Sequence, residues 1–332
     1  MQSLEEKEHH LNIPDDIFLD IFSFLTSHDG YGLISSCHRF NGLIRLPFRF
    51  APFPSLTFQT IGTSPNIIVQ VKQSICIRSR YVTTIPSEIG NMHALNRLAL
   101  SDNRLTELPP EIGDLCSLTW LDLSHNGLKS LPPEIGNLYN LTVLNLRDNW
   151  LMELPCDIGN LHNLSHLNLV NNQLTHLPSE IGNLNNLNQL YLCDNGLTEL
   201  PCEIENLYNL DQLDLRENRL TELPCEIGKL NNLKFLLLGT NKLTSLPSEI
   251  GNLHNLLELH IDNNWITDLP SEIGNLHNLY HLDIQNNRLT SLPSEIGHLD
   301  NLCYLDISKN QLTGIPSEIE LLINNNNIKV YR

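Results

Sequence analysis

Several things are scarce in this 332-residue sequence, and each scarcity closes a class of function. Basic residues are few: 20 Lys and Arg stand against 38 Asp and Glu, a formal charge of -18. A phosphate-binding footprint needs clustered cations, so nucleic acid is excluded as a partner and an anionic membrane surface is disfavoured. Aromatics make up only 6% of the chain and methionine occurs three times. No apolar run is long enough to cross a bilayer, and the opening residues from Met1 to His10 are charged, with no apolar signal core. The expected location is therefore cytoplasmic. Neither H-E-x-x-H, G-x-S-x-G, a phosphate-binding glycine loop nor paired C-x-x-C is found. We expect no enzyme, no cofactor and no metal site.

The eight cysteines fit a reducing compartment. Cys156, Cys202 and Cys225 follow the same proline in successive or nearby copies of one phrase, where other copies carry Ser or Pro. Cys202 and Cys225 come from neighbouring copies, within reach of a bridge, but the favoured reading is a reduced small residue in place of Ser. The sequons at Asn140 and Asn163 read as by-products of a recurring Asn-Leu pair.

What is abundant is order. Asn103, Asn126, Asn149, Asn172, Asn195, Asn218, Asn241, Asn264, Asn287 and Asn310 follow one another at a fixed interval of 23 residues. Each closes an L-x-x-L-x-L-x-x-N-x-L phrase, for example Leu213-Asp214-Leu215-Arg216-Glu217-Asn218-Arg219-Leu220. A fixed period of this length means one supersecondary unit stacked on itself. Within a unit, Leu98-x-Leu100 has the alternation of a strand with one buried face. The Asn that follows suits a bend, where it bonds to backbone groups left unpaired, so one Asn per layer makes a ladder. The second half, Leu108-Pro109-Pro110-Glu111-Ile112-Gly113-Asp114-Leu115, carries Pro near the start, an acid, and Gly as a stop signal for a single helical turn. Strands at about 4.8 Å spacing then line a concave side and broader turns the convex one. Ile75-Cys76-Ile77 and Ile85-Pro86-Ser87-Glu88-Ile89-Gly90 form a degenerate first unit, and the tail from Glu318 to Arg332 reads as a cap.

The phrase and its L-P-S-E-I-G-N-L half resemble the leucine-rich repeat, in the 23-residue class of Ras-pathway scaffolds and of bacterial and viral effectors. The resemblance implies an α/β solenoid with a concave parallel sheet and a role in binding. If the effector likeness holds, it implies action in a host cytoplasm.

Residues before about Ser55 share nothing with the repeat. Apolar positions at 13, 17, 18, 21, 22, 24 and 25 predict a helix opened by Pro14, with Asp15 and Asp16 at its N-terminus. A second apolar stretch runs from Leu33 to Leu43. Ile13-Pro14, Ile21-Phe22-Ser23-Phe24-Leu25, Asp29, Leu33 and Cys37-His38-Arg39-Phe40 resemble an F-box. Gly30, Gly32 and Ser36 depart from that pattern and shorten the second helix. The resemblance implies docking on a Skp-type adaptor of a cullin–RING ubiquitin ligase through Pro14, Ile17, Ile21, Phe22 and Leu25, with Leu33, Cys37 and Phe40 completing the module. The chain then divides into an F-box-like module at 1–50, a Pro-marked linker at 51–70, a solenoid at 71–319 and a cap at 320–332. The implied function is the substrate receptor of such a ligase; the alternative is a scaffold or effector that only binds a signalling protein.

Because the repeats align internally, variation within the one chain is visible. The turns hardly change, whereas the two outward strand columns change freely. Trp120, Phe235 and Tyr304 fall in one column, and Asp122, Tyr191, Asp214, His260, Asp283 and Asp306 in the next. Aromatic anchors beside acids suit a protein partner carrying basic groups. His166, His260 and His281 face outward with Asp262, Asp283 and Asp306 nearby, which leaves a weak metal site as an alternative, but they are spread over three layers, two of them adjacent, and read as solvated histidines.

Overall fold

The structure is a computed structural model that describes residues 74–77, 82–326 and 328–332. Twelve three-residue strands form one open, curved sheet in which every strand pairs in parallel with its sequence neighbours. They are β1 (Ser74–Cys76), β2 (Arg97–Ala99), β3 (Trp120–Asp122), β4 (Val143–Asn145), β5 (His166–Asn168) and β6 (Gln189–Tyr191). β7 (Gln212–Asp214), β8 (Phe235–Leu237), β9 (Glu258–His260), β10 (His281–Asp283), β11 (Tyr304–Asp306) and β12 (Lys329–Tyr331) complete the series. The register is uniform. Each residue lies beside its equivalent 23 positions on, as Gln212 does with Phe235 and Leu213 with Leu236; only the β11–β12 step, where Tyr304 meets Lys329, differs.

Each layer buries one set of aliphatic side chains. In the layer of β7 these are Leu207, Leu210, Leu213, Leu215, Leu220, Leu223 and Ile227, all at most 6% exposed. At about 1.5–3 kcal/mol for a fully buried aliphatic side chain, this repeated set is the main force holding the stack together. The second half of the unit is a five-residue 3-10 turn such as Cys225–Lys229. Pro224 enters it at φ -67, the angle that its ring imposes. The Ile227 and Leu230 amides then donate to the carbonyls of Pro224 and Ile227.

The glycine in this turn does not act as the stop signal that the sequence suggested. It is the fourth residue inside the turn, and no described glycine has positive φ. Its role is close approach: a Cβ on Gly228 would sit 2.4 Å from the Glu249 carbonyl oxygen of the next turn, and one on Gly182 2.4 Å from that of Glu203. One turn breaks the rule with Glu205, whose carboxylate pairs with Lys229 of the next turn at 2.5 Å.

The asparagine ladder is present. Asn218 donates from Nδ2 to the carbonyls of Leu192 (2.9 Å), Leu215 (3.1 Å) and Arg216 (3.1 Å), and its Oδ1 accepts the Leu197 amide at 3.0 Å. Each rung therefore ties its own bend to the layer before it. Asn126 and Asn195 are less buried than most of their equivalents; both precede a glycine, which has no side chain to cover them.

Strain sits next to the ladder. The residue preceding each of the ten ladder asparagines has φ between 53° and 58°. Asp and Asn tolerate that region and hold six of the ten positions; Thr240, β-branched, is the worst suited.

The tail is more than a cap. Helix α1 (Ser317–Asn326) replaces the last 3-10 turn, so it begins three residues before the expected boundary at 320. Ile319, Leu322 and Ile328 close the core, and Lys329–Tyr331 adds β12, a twelfth strand that the repeat pattern does not announce.

Candidate functional site

The varied columns occupy the first and third residues of each strand, and the residue between them, leucine throughout β2 to β11, points into the core. In β8, for example, Phe235 and Leu237 are half-buried while Leu236 is fully buried. In-register pairing sets equivalent residues side by side, so both columns become continuous rows across the sheet.

The first row contains the aromatic candidates. Trp120 is half-buried beneath the Arg97 guanidinium, 4.7 Å from the ring centroid. Phe235 lies mid-sheet beside Leu237. Toward the C-terminal end an aromatic strip crosses both rows, with ring centroids at 4.5 Å from His260 to His281, 4.0 Å from His281 to Tyr304 and 5.4 Å from Tyr304 to Tyr331. Tyr331 joins this strip from β12, and no periodic signal pointed to it. Tyr191, in the second row, donates its hydroxyl to Gln212 Oε1 at 3.1 Å.

The second row corrects an expectation. Asp122, Asp214 and Asp306 are buried, at 5%, 4% and 7% exposure. Each turns its carboxylate back on its own chain two residues later. Asp122 accepts from the amide and hydroxyl of Ser124, and Asp306 from those of Ser308. Asp214 takes the Arg216 amide and guanidinium, with Nη2 at 2.6 Å. Asn145, Asn168 and Asp283 also accept the amide two residues on. This local turn explains why Asp and Asn dominate the row, through the short reach of their side chains. The acids of β3, β7 and β11 are thus not a free array awaiting a basic partner.

The histidines are also not all solvated. His166 keeps to Ser165 Oγ at 2.7 Å. By contrast, register pairs His281 with Glu258 and Asp283 with His260, so two strands bring four ligand-type side chains into a square. His260 Nε2 lies 3.2 Å from Glu258 Oε2. The Nε2 of His281 is buried and has no hydrogen-bond partner among the described residues. Burial, then the neighbouring His260, lowers the His281 pKa below the ordinary histidine value, against opposing pulls from Glu258 and Asp306. Burial raises that of Asp283, against the bond from the Gln285 amide.

Away from the sheet, Trp150, Met152 and Trp265 are 54%, 59% and 42% exposed on the rim beside the ladder, and Arg288 covers the Trp265 ring at 5.0 Å. A second ladder runs along the opposite, solvated edge. Asn140, Asn163, Asn186, Asn209, Asn232, Asn255, Asn278 and Asn301 each donate Nδ2 to a carbonyl 24 residues earlier, at 2.6 to 2.8 Å. The two sequons are therefore rungs of this ladder. Its own period of 23 was the missed signal.

Cys202 and Cys225 are free thiols, as are the other described cysteines. Among the described residues no helix is long and apolar enough to cross a membrane. Pro14, Ile17, Ile21, Phe22, Leu25, Leu33, Cys37 and Phe40 lie outside the described residues.

Comparison with known proteins agrees with this architecture. A family model described as a leucine-rich repeat region matches residues 87–171, 133–213 and 183–264. Two further leucine-rich repeat models match 254–298 and 277–322. No curated protein matches the chain significantly. Among solved structures, a leucine-rich repeat protein of Leptospira interrogans is 31% identical with a TM-score of 0.54, over 83% of this chain and 94% of that one. The plant peptide hormone receptor RGFR1, solved in complex with RGF2, is 28% identical with a TM-score of 0.67, over 77% of this chain. The ectodomain of the Arabidopsis thaliana receptor kinase GASSHO1/SCHENGEN3, in complex with CASPARIAN STRIP INTEGRITY FACTOR 2, is 33% identical with a TM-score of 0.50, over 74% of this chain. The chain spans 47% and 37% of these two plant receptors.

Proposed function

The chain belongs to the leucine-rich repeat family, and from that premise we propose that it is a protein-binding module, not an enzyme, whose partner lies along the concave sheet. The observation that carries this reading is the contrast between faces. Core and turn residues repeat almost unchanged, while half-buried Trp120, Tyr191, Phe235 and Tyr304 vary along one open surface. Large aromatics with polar surroundings are the residues that dominate protein interfaces. The anchors come from separate layers, so a partner that meets several must extend across the strands. Two of the plant structures above were solved with bound partners.

At the finer level, the reading is a substrate receptor of a cullin–RING ubiquitin ligase working in the cytoplasm, where exposed thiols such as Cys202 stay reduced. Its support is the order Ile13-Pro14, Ile21 to Leu25 and Cys37 to Phe40. The test is affinity capture with the full chain and with the double variant Pro14→Ala, Leu25→Ala. The receptor reading expects a Skp-type adaptor with the parent chain and none with the variant, while concave-face partners stay with both. Capture of the same partners without an adaptor by either chain leaves a scaffold, and the ligase role falls.

A further inference from the structure

We propose that the square formed by β9 and β10 is a binding site for a divalent transition metal of the zinc class, with Glu258, His260 and His281 as its protein ligands. One ligating atom from each of these three residues lies within 4.8 Å of the other two. Zinc bonds of about 2.0–2.1 Å to nitrogen and oxygen set ligand atoms about 3.4 Å apart in a tetrahedron. The proposed site closes that difference by rotation of these side chains onto the ion. Two imidazoles and a carboxylate suit zinc, nickel or copper better than magnesium or calcium, which prefer oxygen throughout.

Three observations separate this cluster from an ordinary charged surface. Register fixes it: positions one and three of adjacent parallel strands face the same way, so the ligands are held by backbone pairing and not by loops. Next, the His281 ring packs against those of His260 and Tyr304, and its buried Nε2 has no partner among the described residues, an arrangement that costs free energy unless something else is bound there. Finally, the neighbouring column carries its one glycine and its one acid here. The residue two before each ladder Asn is Ser, Arg, Val, Cys or Gln elsewhere, but Gly239 and Asp262 in adjacent layers. A Cβ on Gly239 would meet Asp262 Oδ1 at 2.5 Å, so the glycine makes room for that carboxylate. Asp262, Asp283 and His260 also lie within mutual ligand range. Since His260 is common to both sets, the site takes one ion, and Asp262 and Asp283 add negative potential beside it. Three protein ligands leave a fourth position facing outward from the concave floor, open to water or to a side chain of a docked protein.

The experiment is titration of the full chain with Zn²⁺ by calorimetry and with Co²⁺ by absorption, alongside His260→Gln, His281→Gln, Glu258→Gln and the control His166→Gln. Exposed thiols also take these metals, but they announce themselves by near-ultraviolet thiolate-to-cobalt charge transfer. The site itself should give visible bands without it. The parent chain and His166→Gln should bind one equivalent more than His260→Gln and His281→Gln, in which affinity at this site falls at least about 100-fold. Glu258→Gln keeps both imidazoles and should weaken binding to a smaller extent, which carries the test if a histidine variant fails to fold. Equal stoichiometry and affinity in all five proteins, or cobalt spectra showing only thiolate ligation, would overturn the site.

Discussion

Replacing one asparagine from each ladder compares a buried, multiply bonded rung with an exposed, singly bonded one of the same side-chain chemistry. Asn218→Ala removes one accepted and three donated bonds from a residue only 8% exposed. The Leu197 amide loses its Oδ1 partner inside the stack, and the Leu192 carbonyl loses the Nδ2 that reaches it from the next bend. A buried amide without a partner costs about 1–3 kcal/mol, and the abandoned carbonyl adds about 1, so the total is about 2–4 kcal/mol. Asn209→Ala removes a single bond of 2.7 Å to the Asn185 carbonyl, in an exposed position where water substitutes. It should cost about 0.5 kcal/mol or less. Asn218→Asp keeps an acceptor for Leu197 but turns a carboxylate toward three carbonyls, and should be worse than Ala. Urea denaturation gives the midpoint shifts. Because a solenoid's stability is a sum over neighbouring repeats, hydrogen exchange at Leu197 gives the local effect. Equal midpoint shifts for the two ladders, or unchanged exchange at Leu197 in Asn218→Ala, would refute the reasoning.

Three further outcomes follow from the geometry. Thr240→Asn should stabilise the chain by about 0.5–1 kcal/mol, since Thr240 is exposed and held at φ 58, where Asn sits at lower cost; a lower thermal midpoint would contradict this. Gly228→Ala should destabilise by about 1–3 kcal/mol through overpacking against the Glu249 carbonyl, whereas Gly127→Ala, whose nearest contact would be 3.4 Å, should change little in the same denaturation assay. With a captured partner, Phe235→Ala should weaken binding by about 2 kcal/mol or more, mainly through faster dissociation, while Glu249→Ala on the convex turn leaves it unchanged; surface plasmon resonance showing the reverse would move the interface to the other face.

Much of the architecture was legible in the one-dimensional pattern because each layer repeats the same local problem. The alternation around Leu98 and Leu100 dictated a strand with one buried face, the proline dictated the entry to the turn, and Asn at a fixed interval dictated the ladder. The exposed edge ladder from Asn140 to Asn301 was equally periodic; it was missed because Asn-Leu looked like composition. Function was legible only as a contrast between constant and variable columns, and the adaptor-docking reading of Pro14 to Phe40 rests on sequence alone.

Other features have no local cause and needed the stack. The sequence shows Asp122, Asp214 and Asp306 as an outward acidic column, but only the folded bend turns each carboxylate onto the amide two residues later. Gly228 reads as a helix stop, yet its reason is the backbone of a neighbouring turn 21 residues away. Lys329–Tyr331 breaks the period, and it becomes a strand because β11 otherwise leaves an open edge. His260 and His281 are 21 residues apart in the chain; parallel register at one 23-residue repeat per layer is what sets them, with Glu258, around a common point. Sequence period determined the unit, and the packing of each unit on the next decided which polar groups were buried, strained or brought together.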